Sequence, residues 1–168
     1  MTENDERLEQ ERAAFVEKIG FVAQAEGLSR CAGRLFGLLV FDGGPISFGD
    51  LALRLGASRG SISTNARVLE DRGLIKRLRL PGERQDYFRL ADDAYSSLLE
   101  KARRRMSAAR EDIETTISRL PPEAGEIGER LSQYARFYSA MDDGLRSALQ
   151  SIAATEVPQS RQDRKTEA

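Results

Sequence analysis

Apolar residues recur every three or four positions along most of this chain, and the interruptions mark where helices stop. From about Asp5 to Ala25, Leu8, Phe15, Ile19 and Val22 share one face while Glu, Arg and Lys fill the others. That spacing predicts an amphipathic helix, with residues 1–4 frayed ahead of it. Gly27 ends the helix, and Ser29 is placed to cap a second one running to about Asp42. The second helix is apolar nearly all round, so it is expected to be buried. Its Gly33 and Gly37 lie on one face, where another helix can approach closely. Gly43-Gly44-Pro45 then makes a turn.

Between 47 and 90 the period changes. Ser47 with Asp50 three residues on reads as a capping-box-like start, followed by Leu51, Leu53 and Leu55. Gly56 breaks this helix, Ser58 caps the next over Arg59–Arg72, and Gly73 stops it. Leu74 to Leu80 alternates apolar and basic residues, as a strand with one solvated face does. Pro81-Gly82 supplies a turn and Asp86–Leu90 returns. Two short capped helices followed by a hairpin are the order of a winged helix-turn-helix. That device places its second helix in the major groove of DNA.

A long helix is predicted from about Ala91 to Arg119, with Leu98, Ala102, Met106, Ala109, Ile113, Ile117 and Leu120 on its stripe. Pro121-Pro122 divides it from another. There Ile127, Leu131, Tyr134, Tyr138, Met141, Leu145, Ala148 and Ile152 are spaced 4-3-4-3-4-3-4, a heptad seam for a partner helix. The end of the chain is polar and aperiodic, and is expected to be disordered. The fold class expected is mainly α: a winged helix-turn-helix with a two-stranded β wing and long N- and C-terminal dimerisation helices. Its divisions are 1–28 (N-terminal dimerisation helix), 29–90 (DNA-binding domain), 91–154 (helical dimerisation region) and 155–168 (tail).

Charge sharpens this picture. The net charge of the 168 residues is −1, so the whole molecule is not a polyanion binder. Between Arg54 and Arg89, however, nine Arg or Lys face four Asp or Glu, while residues 1–27 carry three basic against seven acidic. A basic centre between acidic arms concentrates attraction for phosphate at the helix-turn-helix. The chain has no histidine and one cysteine, which excludes His-based general bases, nearly all zinc sites and any intrachain disulfide. Neither a signal peptide nor a run of eighteen apolar residues is present, so a cytoplasmic protein is expected. The reading is of a binding protein without cofactor or metal, not an enzyme.

At about 100° per residue, Ile62, Ala66 and Leu69 of the second short helix fall together toward a core. The outer face and flanks then present Ser58, Arg59, Gly60, Ser61, Ser63, Thr64, Asn65 and Arg67. Gly60 lets the backbone approach closely, the hydroxyls suit phosphates or base edges, Asn suits adenine, and Arg suits guanine or phosphate. Arg84 sits at the hairpin tip, where a narrow minor groove favours an inserted arginine. Arg54, Lys76, Arg77, Arg79 and Arg89 are expected to be phosphate neighbours in part and ion-pair partners in part.

Three stretches, Ala32–Leu39, Leu51–Asn65 and Pro81–Phe88, together resemble the GbsR branch of the MarR transcriptional regulators, over roughly residues 12–95. The resemblance implies a homodimeric winged-helix repressor whose N- and C-terminal helices form the dimer interface. It implies that Ser61, Ser63, Thr64, Asn65 and Arg67 belong to the recognition helix and Arg84 to the wing tip. The usual MarR wing has an aspartate two residues before this arginine; here Gly82 stands there.

Control by a small-molecule effector is expected, at a site between the helical region and the winged helix. Some members of the branch sense small cations such as choline, and Tyr134, Phe137 and Tyr138 offer ring faces to such a ligand. Cys31, in the first turn of its helix beside Arg30 and near Arg34, is the candidate for redox control. The alternatives are a winged helix that binds protein, and a regulator switched through Cys31.

Overall fold

The computed structural model describes residues 2–155, and the division of its contacts falls after Ala94. The N-terminal unit holds four helices and a small sheet. Helix α1 spans Glu3–Ala25, α2 Arg30–Asp42, α3 Phe48–Leu55 and α4 Arg59–Asp71. Each helix starts where a hydroxyl can satisfy an orphan backbone N–H. Ser29, Ser47 and Ser58 accept from the N–H of Ala32, Asp50 and Ser61 at 2.9, 3.1 and 3.2 Å. Residues 2–4 do not fray, contrary to expectation. Thr2 and Asp5 exchange side-chain and backbone hydrogen bonds in a full capping box, so α1 begins at Glu3.

The α1–α2 crossing is set by glycines. A Cβ on Gly33 would lie 2.5 Å from the Ala23 Cβ and 2.9 Å from the Gly20 Cα, and one on Gly37 would meet Ile19 at 3.0 Å. The backbones of the two helices therefore meet at a separation that only glycine permits. Around the crossing, Glu17 binds both Arg30 and Arg34, and Asp42 binds both Arg12 and Arg54.

The sheet differs from the expected two-stranded wing. Ile46–Ser47 forms a strand, β1, that pairs antiparallel with β3 (Tyr87–Leu90), which also pairs with β2 (Ile75–Leu78); the order is β1-β3-β2. Two residues are too few to show a period of two, and Ser47 serves both as strand residue and as cap of α3. The core lies between these elements: Leu35 and Leu39 from α2, Leu51 from α3, Ile62 and Leu69 from α4, and Phe88 from β3 are fully buried.

In the second unit α5 runs to Ser118 from its start at Ala94, a 3-10 turn covers Pro122–Ala124, and α6 spans Gly125–Thr155. The tail expected to be disordered from 155 lies outside the described residues, apart from Thr155, which closes α6. The two helices run antiparallel, with Arg110 and Ile117 near Ser139 and Ser132, and Arg103 3.5 Å from Asp142. The α6 face turned to α5 is small and polar, built on Gly128, Ser132, Ala135 and Ser139. Among the described residues of α6, Ala135 alone is buried. The heptad seam is centred about 120° round the helix from that face. Ile127, Tyr134 and Met141 on it are 44, 51 and 42% exposed.

Candidate nucleic-acid interface

Helix α4 is fixed by its inward face. Ile62, Ala66 and Leu69 are wholly buried, so the rotation of the helix about its axis is determined. Gly60, Ser63, Thr64 and Arg67 are then exposed along one side, with Ser58 and Arg59 at the N-terminal end. The nearest atom to a Cβ on Gly60 would be the Ser58 Oγ at 4.0 Å, so this stretch of helix lies open. The Ser58 hydroxyl accepts the cap bond and keeps its own proton to donate. Together with the free N–H groups of the first turn, it makes a ready seat for a phosphate.

Asn65 departs from the sequence-based expectation. It is 9% exposed, and its amide is spent inside the protein. Nδ2 donates to the Ser61 carbonyl at 2.7 Å and to the Ser61 Oγ at 3.3 Å, while Oδ1 accepts from the Ser29 hydroxyl. Ser29 is the cap of α2, so Asn65 braces the recognition helix against α2 instead of facing a base. Ser61 is half-buried in the same network, and its Oγ lies 3.3 Å from the Cys31 Sγ. The cations expected to act on this thiol are engaged elsewhere, Arg34 with Glu17 at 2.6 Å and Arg30 with Glu17 and the Phe21 ring.

Pairing sorts the basic residues of the domain. Arg54 binds Asp42 at 2.6 Å, Arg77 binds Glu70 at 2.9 Å and Asp86 at 3.4 Å, and Arg79 binds Asp86 at 3.1 Å. Lys76 and Arg89 share Asp92, and these two, Arg89 first, hold the Asp92 carboxyl well below the usual range. Those five are the ones for which the sequence left phosphate contact and ion pairing both open. Within residues 29–90 the cations without a carboxylate partner are Arg59, Arg67, Arg72 and Arg84. Arg59 instead lies over the Phe48 ring, 4.7 Å from its centroid, and Phe48 packs on Phe88 at 6.3 Å. Arg84 is exposed in the long loop joining β2 to β3, where Gly82 takes the turn at φ +81°.

Sequence reasoning missed Phe48, Gln85, Tyr87 and Asp92, which position the others. Each acts through a contact made by folding, and none carries a periodic signal of its own. The aromatic residues of α6 are brought together as expected, but not as a cage. Tyr134 and Phe137 lie nearly parallel at 6.4 Å, Tyr138 meets both edge-on, and the two tyrosine hydroxyls are 3.0 Å apart. Among themselves the rings do not turn three faces toward one point, as a quaternary ammonium requires.

A buried helix-turn-helix whose second helix shows a small polar face, beside a wing with an unpaired arginine, defines the class of winged-helix DNA-binding proteins. Residues 26–86 match the model of the MarR family. The HTH-type transcriptional regulator MmpR5 of Mycobacterium tuberculosis is 35% identical over 136 residues, 80% of this chain and 82% of that protein. A crystal structure of a transcriptional regulator is similar with a TM-score of 0.67 at 32% identity, covering 86% of this chain and 99% of its own. The chain belongs to the MarR family, and it is a DNA-binding transcriptional regulator, not an enzyme. No helix among the described residues is long and apolar enough to cross a membrane.

The brace made by Asn65 gives a direct test. Asn65→Ala removes the buried amide that ties the exposed Ser29 hydroxyl to the half-buried Ser61, and is expected to cost about 0.5–1.5 kcal/mol of stability for each net hydrogen bond lost. Urea unfolding should show the loss. The relative affinities for operators altered one base at a time should stay as in the parent protein; a base position that lost its preference would return Asn65 to the reading face.

Proposed function

We propose that the chain is a homodimeric repressor of the GbsR branch that reads a pseudo-palindromic operator. Ser58, Arg59, Gly60, Ser63, Thr64 and Arg67 meet the major groove, and Arg84 meets the minor groove beside it. The observation that carries this reading is the pairing pattern of the cations. Carboxylates neutralise five of the cations at the edges of the domain and leave Arg59, Arg67 and Arg84 open on the recognition helix and the wing tip, with Arg72 at the C-cap of α4 the fourth left open. Phosphate attraction is thereby confined to the surface whose shape fits the groove. Repression is the part of the reading that rests on resemblance to the branch.

The dimer is supported by α6. Its small face serves α5, and the large apolar face with Tyr134 and Phe137 at 51 and 55% exposure is open within one chain. The ring cluster serves that interface better than it serves a cation. Two-fold symmetry would set the paired recognition helices about 34 Å apart, one turn of DNA.

Control by a small organic effector belongs to the reading through the resemblance. A thiol route has an observation of its own. Cys31 is half-buried against Ser61 of the recognition helix, so oxygen added to the sulfur would need the space Ser61 occupies.

Three outcomes are expected. Arg67→Ala should cost about 1–3 kcal/mol and erase the preference at one operator position if the guanidinium grips a base. A uniform loss across sequences, with a shallower salt dependence, would make Arg67 a phosphate contact. Loss of salt dependence in the parent protein would remove the DNA interface altogether. Light scattering should give a dimer at micromolar concentration, and Tyr134→Glu with Met141→Glu should give a folded monomer with little operator affinity. Peroxide should release DNA from the parent protein and leave Cys31→Ser bound; equal behaviour of the two would eliminate the thiol route.

A further inference from the structure

Arg84 is exposed at the wing tip, yet the residues on either side of it are held. The Gly49 N–H, in the first turn of α3, donates to the Gln85 Oε1 at 3.3 Å. Glu83 reaches the Tyr87 hydroxyl; desolvation first, and this carboxylate second, hold the phenol above its ordinary value. Behind them the Phe48 N–H donates to the Asp86 carbonyl at 2.9 Å, and Ser47 pairs with Tyr87 across the sheet. The Asp86 carboxylate meanwhile gathers Arg77 and Arg79. The loop from 79 to 86 has no regular structure of its own, and such loops are mobile unless tied. Its ties run to β3 and the start of α3, and through Asp86 to Arg77 of β2.

The Gly49 N–H is one of the donors that a helix start leaves without an intrahelical partner. Gln85 satisfies it from 36 residues away. The approach also uses the absence of a side chain at Gly49, since a Cβ there would stand 3.2 Å from the Gln85 Oε1.

We propose that Gln85 is a positioning residue of the wing: by docking on Gly49 it fixes the loop against the first helix of the helix-turn-helix and presents Arg84 in one orientation beside the recognition helix. This rests on the minor-groove reading of Arg84 given above. An arginine entering a narrow groove has to be ordered there, and whatever order is already present in the free protein need not be created on binding. Gln85 engages Gly49 through an acceptor oxygen, and its side chain also hydrogen-bonds the Tyr87 hydroxyl. Glutamate at this position keeps that acceptor, and alanine removes it.

The test is binding of the full chain to two duplexes that carry the same selected operator and differ only in an A·T or G·C flank under the wing. Arg84→Ala should lower the preference for the A·T flank. Gln85→Ala should lower it to the same level, a change of roughly three- to tenfold, the size of one net hydrogen bond. Gln85→Glu should lose affinity on both duplexes alike, because it adds a negative charge near phosphate, and keep the preference. The double variant should bind like Arg84→Ala alone, since Gln85 acts through the arginine. Thermal unfolding should be unchanged in all four variants, as both side chains are exposed. Additive losses in the double variant, or an intact preference in Gln85→Ala, would overturn the proposal. An Arg84→Ala variant that keeps the full A·T preference would overturn the minor-groove reading itself, and the proposal with it.

Discussion

Burial of Phe88 is the constraint to which every functional position in the N-terminal unit is referred. It lies on the middle strand and is completely enclosed, with Ile46 opposite it on one side and Arg77 on the other. Truncating such a ring typically costs about 3–5 kcal/mol, so its place on the sheet is strongly held. From it the chain reaches outward in three directions. Phe48 packs on its ring and carries Arg59 at the head of the recognition helix. Tyr87, Asp86 and Gln85 lead back along the strand to Arg84. In the other direction, Arg89 grips Asp92 in the turn before α5 begins. One apolar residue thus sets the geometry of a surface that is itself polar.

The charges complete what the core begins. Exposed ion pairs contribute about 0–1 kcal/mol each to stability, so the pairs around this domain are weak as struts. Their consequence is electrostatic pattern. Asp42, Glu70, Asp86 and Asp92 cancel cations at the back and edges of the helix-turn-helix, while the outward face of α4 keeps Arg67 uncompensated. A domain with the same composition and randomly paired charges would attract DNA to any side. Under the proposed reading, the attraction is directed chiefly at the face of α4 whose small residues allow a groove to close on it.

Much of the helix-turn-helix is legible in the order of its residues. Serines 29, 47 and 58 and the glycines after each helix are local signals, because a cap is satisfied within three residues and a positive φ within one; α2, α3 and α4 accordingly lie where those signals place them. What escapes a reading of the sequence is non-local. Asn65 sits on the flank of the helical wheel, and whether a flank faces in or out depends on what waits there. The waiting group is the Ser29 hydroxyl, 36 residues earlier. The same holds for Gln85 and Gly49, and for the sharing of Asp92 by Lys76 and Arg89. β1 is hidden for a different reason, since two residues cannot display alternation.

The second unit poses the opposite problem, a pattern clearly visible in sequence that one chain leaves unfilled. Helix α6 has two working faces centred about 120° apart. One is narrow and small, and it lets α5 approach near Ala135; the other is broad and apolar, and half of it is in solvent. Apolar area left in water forfeits about 25 cal/mol per Å², and ordering a helix of this length costs about 1–2 kcal/mol per residue. Among the described residues of α6, Ala135 is buried and Leu131, Tyr138 and Leu145 are half-buried, so contacts inside the unit offset part of that cost. A surface laid on that broad face would add to the stability of the helix at its full length. If that surface is a second copy, folding of α6 and pairing of the subunits are one equilibrium, and the stability of the dimerisation region rises with protein concentration. DNA occupancy then inherits the same concentration dependence, because an operator with two half-sites is gripped by two recognition helices only after the seam has closed.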